Sequence, residues 1–97
     1  MKLQMAIVLA ATLIAAGTAS AQSGAELAKS KNCLNCHDME KKKVGPAFKD
    51  VAAKYKDNKD AEATIVAKLK EGKGHPTKVV ASDAELKALA QYSLTGK

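Results

Sequence analysis

Cys33-Leu34-Asn35-Cys36-His37 is the stretch whose reading decides the fold of this chain. On a helical turn, Cys33 and Cys36 point the same way, and His37 follows at i+4 from Cys33. Cys-x-x-Cys-His is the attachment signal for c-type haem. The two sulfurs can form thioether bonds to the two vinyl groups of one porphyrin, and the imidazole can reach the iron from that side. Three plainer readings compete. A disulfide between Cys33 and Cys36 suits an oxidising compartment but leaves His37 unexplained. A thioredoxin-like redox pair belongs in a βαβ setting, and no strand is visible here. A zinc site from Cys33, Cys36, His37 and His75 has the ligand count, but adjacent Cys36 and His37 fit one tetrahedron poorly. Only the haem reading accounts for every residue type at its spacing.

Helix signals lie on both sides of the motif. Ser23 with Glu26 is a capping-box pattern and predicts a helix over about 24–31. After the motif come Lys41-Lys42-Lys43 and the turn Val44-Gly45-Pro46. From Pro46 a second helix can start, with Phe48, Val51, Ala52 and Tyr55 on one apolar face. A third is expected over about 61–71, ended by Gly72, with Ile65 and Leu69 sharing a face. Residues 72–81 read as a loop centred on Gly74, His75 and Pro76. Ser82 and Glu85 then open a last helix carrying Leu86, Leu89, Ala90 and Tyr92. The fold class is all-α.

At the start of the chain, Lys2, an apolar run from Ala6 to Ala16 and Ala19-Ser20-Ala21 have the form of a secretory signal. The run is too short to span a bilayer, which needs about 20 residues. The expected division is a signal peptide over 1–21 and one domain over 22–97, with a periplasmic destination and no stable membrane insertion. The domain holds only sixteen apolar side chains larger than alanine and other than cysteine. A core in so small a domain rarely yields more than about 3–5 kcal/mol unless something staples it. A covalently held porphyrin is such a staple. Phe48, Val51, Tyr55, Leu69 and Leu89 are accordingly expected to wall a haem crevice.

All sixteen basic residues are lysine and the formal net charge is +6. Nucleic acid is a poor partner, since arginine is missing and aromatics for base stacking are few. Lys41, Lys42 and Lys43 can instead steer an acidic redox partner towards the haem edge, although runs of this kind often do no more than maintain solubility. No serine–histidine–acid set or paired carboxylates can be argued, so the chain is not expected to be an enzyme.

With these residues in view, the domain resembles a small bacterial class I cytochrome c over essentially its full length. The resemblance rests on Cys33 to His37, on Lys43-Val44-Gly45-Pro46-Ala47-Phe48-Lys49-Asp50-Val51-Ala52, and more weakly on Ser82-Asp83-Ala84-Glu85-Leu86 and Tyr92. It implies about four short helices wrapped around one covalent haem c, with His37 as the proximal iron ligand and Phe48 in the cofactor site. It also implies that the Pro46 carbonyl accepts the second N–H of His37. The first and last helices should cross, bringing the Leu27 region to Leu89 or Tyr92.

The chain departs from the family on the distal side. The usual methionine before the last helix is missing, and Met39 stands too close to His37 to reach the opposite face. The loop offers His75 instead, the only other histidine. Bis-histidine iron, His37 proximal and His75 distal, is the reading adopted; a solvated His75, or a lysine ligand such as Lys73 or Lys78, competes with it. A second imidazole donates more strongly than a thioether and should lower the reduction potential. The expected function is a monomeric periplasmic one-electron carrier. The alternative is a haem protein or sensor binding CO, NO or O2 at a weakly held sixth position.

Overall fold

Ser23 opens helix α1 (Gly24–Ser30), its hydroxyl accepting the Glu26 amide at 3.2 Å. In the computed structural model residues 22–97 are described, so the signal read in residues 1–21 lies outside the described residues. Ser82 opens the last helix, α4 (Asp83–Thr95), and there the capping box closes in both directions. Glu85 N–H donates to Ser82 Oγ at 3.2 Å, and Ser82 N–H donates to Glu85 Oε1 at 2.9 Å. The pattern at Ser23 makes only its first half. Between them stand α2 (Phe48–Lys54) and α3 (Ala61–Glu71). Both α3 and α4 end on glycine in the left-handed region, Gly72 at φ 72° and Gly96 at φ 73°, where a Cβ would be strained.

The architecture is all-α. Among the described residues the only extended pairing is an isolated bridge between His37 and Lys42. The start of α2 differs from expectation. α2 begins at Phe48 because Ala47 is extended and serves as its N-cap. Its first amides are satisfied from outside the helix, Phe48 N–H by the Asp38 carbonyl at 2.9 Å and Lys49 N–H by that of Met39 at 3.2 Å. These bonds clamp the segment after the motif onto the start of α2.

Helix α4 packs against each of the other three. Its crossing with α1 is close because Gly24 has no side chain: a Cβ there would lie 2.7 Å from Tyr92 Cβ and 3.0 Å from the Ala88 carbonyl. Leu27, Ala28, Phe48, Leu89 and Tyr92 form one buried cluster, as the expected crossing requires. Leu27 and Leu86 are the large side chains buried to 1% exposure. Each such leucine contributes about 1.5–3 kcal/mol. Phe48 and Leu89 do two things at once: they pack in this cluster and also wall the cavity described next.

Candidate cofactor site

The motif lies where α1 runs out. Lys31 caps the helix, and Asn32, at φ 61°, turns the chain sharply into a 3-10 turn over Cys33–Asn35. The sequence suggested an α-helical turn here; the tighter turn serves the same purpose, since i and i+3 side chains eclipse when each turn holds three residues. The amides of Cys36 and His37 both donate to the Cys33 carbonyl, at 3.2 and 2.9 Å. Cys33 is half-buried and Cys36 exposed, and no disulfide joins them. Burial pushes the Cys33 thiol above its usual range. Among the described residues no three His, Cys, Asp or Glu side chains gather closely enough to hold a metal ion.

His37 is held from two sides. Its Nδ1–H donates to the Pro46 carbonyl at 2.6 Å; a carbonyl only accepts, so Nε2 is left with its lone pair. Phe48 stacks on the imidazole with centroids 4.9 Å apart and planes 19° from parallel. Phe48 in turn meets Tyr92 edge to face at 5.5 Å, so the ring's orientation is tied to the core. Gly45 presses its backbone against the same imidazole, and its N–H donates to the Cys36 carbonyl at 2.7 Å. A Cβ at Gly45 would sit 2.8 Å from Nδ1 and 2.9 Å from Nε2 of His37. In sequence this glycine reads only as part of the turn Val44-Gly45-Pro46.

Next to the motif opens a cavity of about 380 Å³. Phe48, Val51, Tyr55, Leu69 and Leu89, the five side chains expected to wall it, all line it. Lys68 was not foreseen. It lies on α3 beside Leu69 and three residues after Ile65, at the edge of the apolar face, and that spacing is the signal that could have found it. Its Nζ donates to Tyr55 Oη at 3.0 Å. Lys54 lies over the same ring at 5.5 Å. The cavity therefore joins an apolar wall to three lysines, Lys31, Lys54 and Lys68, with the two cysteines and an imidazole at one edge. That donor set suits an apolar macrocycle bearing carboxylates and a central metal.

His75 also lines the cavity, in the loop between α3 and α4. The loop is tied back by Val79 N–H donating to the Leu69 carbonyl at 2.8 Å. His75 Nδ1–H donates to the Thr77 carbonyl at 2.7 Å. The rings of His37 and His75 have centroids 6.3 Å apart and planes 13° from parallel. Met39 lies elsewhere, packed beneath the buried cluster with its methyl group against Gly96. The Lys78 stem lies along Gly72.

A short all-α bundle with Cys-x-x-Cys-His on the rim of an apolar cavity defines the class of c-type haem proteins. Comparison with known proteins narrows it. The family model described as Cytochrome C oxidase, cbb3-type, subunit III matches residues 19–92. Cytochrome c-552 of Nitrosomonas europaea is 46% identical over 95 residues, covering 91% of this chain and 90% of that one. Cytochrome c-552 of Hydrogenobacter thermophilus is 46% identical over 79 residues, covering 74% and 80%. The crystal structure of the wild-type Nitrosomonas protein superposes with a TM-score of 0.64 at 44% identity, over 75% of this chain and 99% of that one. The class 1 cytochrome MtoD of Sideroxydans lithotrophicus gives 0.67 at 34% identity, over 74% and 90%. The chain belongs to the small class I monohaem cytochromes c, the c-552 and c-551 family, whose cofactor is haem c with its iron and whose work is electron transport. No described helix is long and apolar enough to cross a membrane.

Proposed function

We propose that this protein is a monomeric periplasmic one-electron carrier whose haem iron is held between His37 and His75. The observation that carries the reading is the pairing of the two imidazoles. Both rings hold Nδ1 on a backbone carbonyl, at 2.6 and 2.7 Å, so that in the neutral ring Nε2 is the nitrogen with the lone pair. Their centroids are 6.3 Å apart. Two metal–imidazole bonds of about 2 Å each, with the radius of each ring added, span roughly that distance.

Each residue has its part. Cys33 and Cys36 carry the thioether links, and the 3-10 turn presents their sulfurs side by side. His37 binds the iron with Nε2, and the Pro46 carbonyl fixes its tautomer and strengthens it as a donor. Phe48 holds the His37 ring in plane, while Val51, Leu69 and Leu89 keep water from that face. Lys54 and Lys68, with Tyr55, offset negative charge at the cavity mouth. Bound haem supplies the Fe(III)/Fe(II) couple. Ligands held by main-chain hydrogen bonds keep the rearrangement on electron transfer small, which is what a carrier needs.

Residues 1–21 serve as the export signal, consistent with haem attachment outside the cytoplasm. Lys41, Lys42 and Lys43 lie beside the attachment turn, with Lys43 Nζ donating to the Leu34 carbonyl at 3.1 Å. The described salt bridges use Lys49, Lys70 and Lys87 instead. The run is therefore available to the carboxylates of an acidic redox partner docking near the haem edge.

Absorption spectra of the holoprotein and of His75→Ala, in both redox states, test the ligation. The wild type should be low-spin and slow to take up CO when reduced. His75→Ala should turn high-spin and bind CO rapidly. An unchanged low-spin spectrum in the variant would refute His75 as ligand. Rapid, complete CO uptake by the wild type would favour a sensor of small ligands.

A further inference from the structure

The two imidazoles are held by matching hydrogen bonds that differ in reach. The carbonyl serving His37 belongs to Pro46, on the far side of a loop; the one serving His75 belongs to Thr77, two residues on. The distal bond thus closes within His75-Pro76-Thr77. Pro76 holds its own φ near about −65°, and it keeps the residue before it out of the helical region. On the upstream side Gly72 and Gly74, at φ 72° and 69°, fold the backbone towards the cavity. On the downstream side the 2.8 Å bond from Val79 N–H to the Leu69 carbonyl anchors the loop end to α3. The imidazole on this short tether ends 13° from parallel with that of His37.

We propose that His75-Pro76-Thr77 is a self-contained ligand turn in which the Thr77 carbonyl, through the Nδ1–H of His75, sets the distal imidazole plane parallel to the proximal one. The inference rests on the bis-histidine reading above. Thr77 is a positioning residue on this view, and it acts through its main-chain oxygen rather than its hydroxyl. The bond places the ring's hydrogen on Nδ1, makes the ring a stronger donor and stops it swivelling about the metal–nitrogen axis. Parallel imidazole planes place the π orbitals of both rings along one direction, so they raise one iron d orbital well above its partner. Crossed planes would leave the two nearly equal in energy. Electron paramagnetic resonance of the ferric state separates these cases: a resolved rhombic low-spin signal for parallel rings, and a single feature at very high g for crossed ones.

The test is frozen-solution resonance of the ferric holoprotein, with the near-infrared charge-transfer band of the same samples identifying the axial ligand pair. Wild type should show a bis-imidazole band with a resolved rhombic signal. Thr77→Ala, which removes the hydroxyl and keeps the carbonyl, should change neither. Pro76→Gly should keep the band but broaden the signal or move it to higher g, because the turn no longer fixes the ring. A high-g wild-type signal beneath a bis-imidazole band would overturn the positioning and leave the ligation intact. A wild-type band of another ligand pair would overturn both. A Pro76→Gly spectrum identical to wild type, or a Thr77→Ala spectrum shifted like that of Pro76→Gly, would remove the turn or the carbonyl from this role.

Discussion

The backbone of Gly45 lies flat against the imidazole of His37, close enough that a Cβ would stand 2.8 Å from Nδ1. The same residue closes the loop by donating to the Cys36 carbonyl at 2.7 Å, so it cannot simply retreat. Gly45→Ala must therefore push the ring or open the loop, and overpacking of this kind costs about 1–3 kcal/mol. The ring is the softer element. Because His37 takes its direction from Pro46 and Phe48, its displacement should lengthen the 2.6 Å bond to Pro46. The expected outcome is lower haem retention and a weaker proximal bond, seen as a larger high-spin fraction in the absorption spectrum than wild type shows.

The ligand on the distal side sets the potential. Imidazole stabilises ferric iron more than a thioether does. His75→Met should therefore raise the midpoint potential, by on the order of 0.1 V if the new side chain binds. Potentiometric titration of wild type and variant checks this. A wild-type potential typical of methionine-ligated relatives would contradict the bis-histidine assignment.

At the other end of the molecule, Gly24 decides how near α1 and α4 come. Alanine is the better helix former, by about 1 kcal/mol. The contacts at 2.7 Å to Tyr92 Cβ and 3.0 Å to the Ala88 carbonyl oppose that gain. One of them is backbone, and the displaced Tyr92 would disturb Phe48 and with it the His37 ring. Overpacking should win, so Gly24→Ala lowers stability by roughly 1–2 kcal/mol in spite of its propensity. Leu27→Ala, at a site only 1% exposed, should cost more, about 2–5 kcal/mol. Denaturant unfolding of the holoprotein ranks the two.

How much of this was legible in the sequence follows from how local each feature is. The helices were readable because caps and apolar spacing act within a few residues: Ser82 with Glu85, Gly72, and Phe48 with Val51. Cys33, Cys36 and His37 announced their chemistry by spacing alone. The contacts at Gly24 and Gly45 were not readable, since a glycine in sequence does not say which distant side chain approaches it. Lys68 on Tyr55 and the Thr77 carbonyl on His75 escaped for a related reason. The first depends on how α3 docks, and the second is a main-chain atom with no signature of its own. The 3-10 turn at Cys33–Asn35 depends on the left-handed Asn32, which the sequence alone does not announce.

Part of the acid sensitivity should arise at the start of α4. The Ser82 amide and hydroxyl hold the Glu85 carboxyl below the usual carboxylate range. A carboxyl whose value is depressed by folding contributes stability that is fully present above its unfolded value of about 4.3. That contribution is lost as the pH falls through the lower, folded value. Glu85→Gln should therefore be less stable than wild type at neutral pH and should approach it as the solution is acidified through this range. Thermal melts from pH 7 downwards measure the gap, and a gap independent of pH would place the effect elsewhere than in the carboxylate.

The lysines beside the attachment turn give the last prediction its form. Lys41, Lys42 and Lys43 are exposed, and the neighbouring Val44 is 80% exposed on the cavity rim. An aliphatic contact fringed by lysines that make none of the described salt bridges suits a transient complex steered by charge and seated by apolar contact. Charge raises the encounter rate, and salt removes the gain because screening shortens its reach to about 10 Å at 0.1 M. Replacing Lys42 and Lys43 by glutamate should slow electron transfer with an acidic redox protein about tenfold or more at low ionic strength. The rates of wild type and variant should converge as salt is added. Val44→Ser should act differently, lowering the rate at every ionic strength, since it removes contact area and no charge. Stopped-flow rates across a salt series separate the two, and a wild-type rate indifferent to salt would reduce the lysines to a solubilising surface.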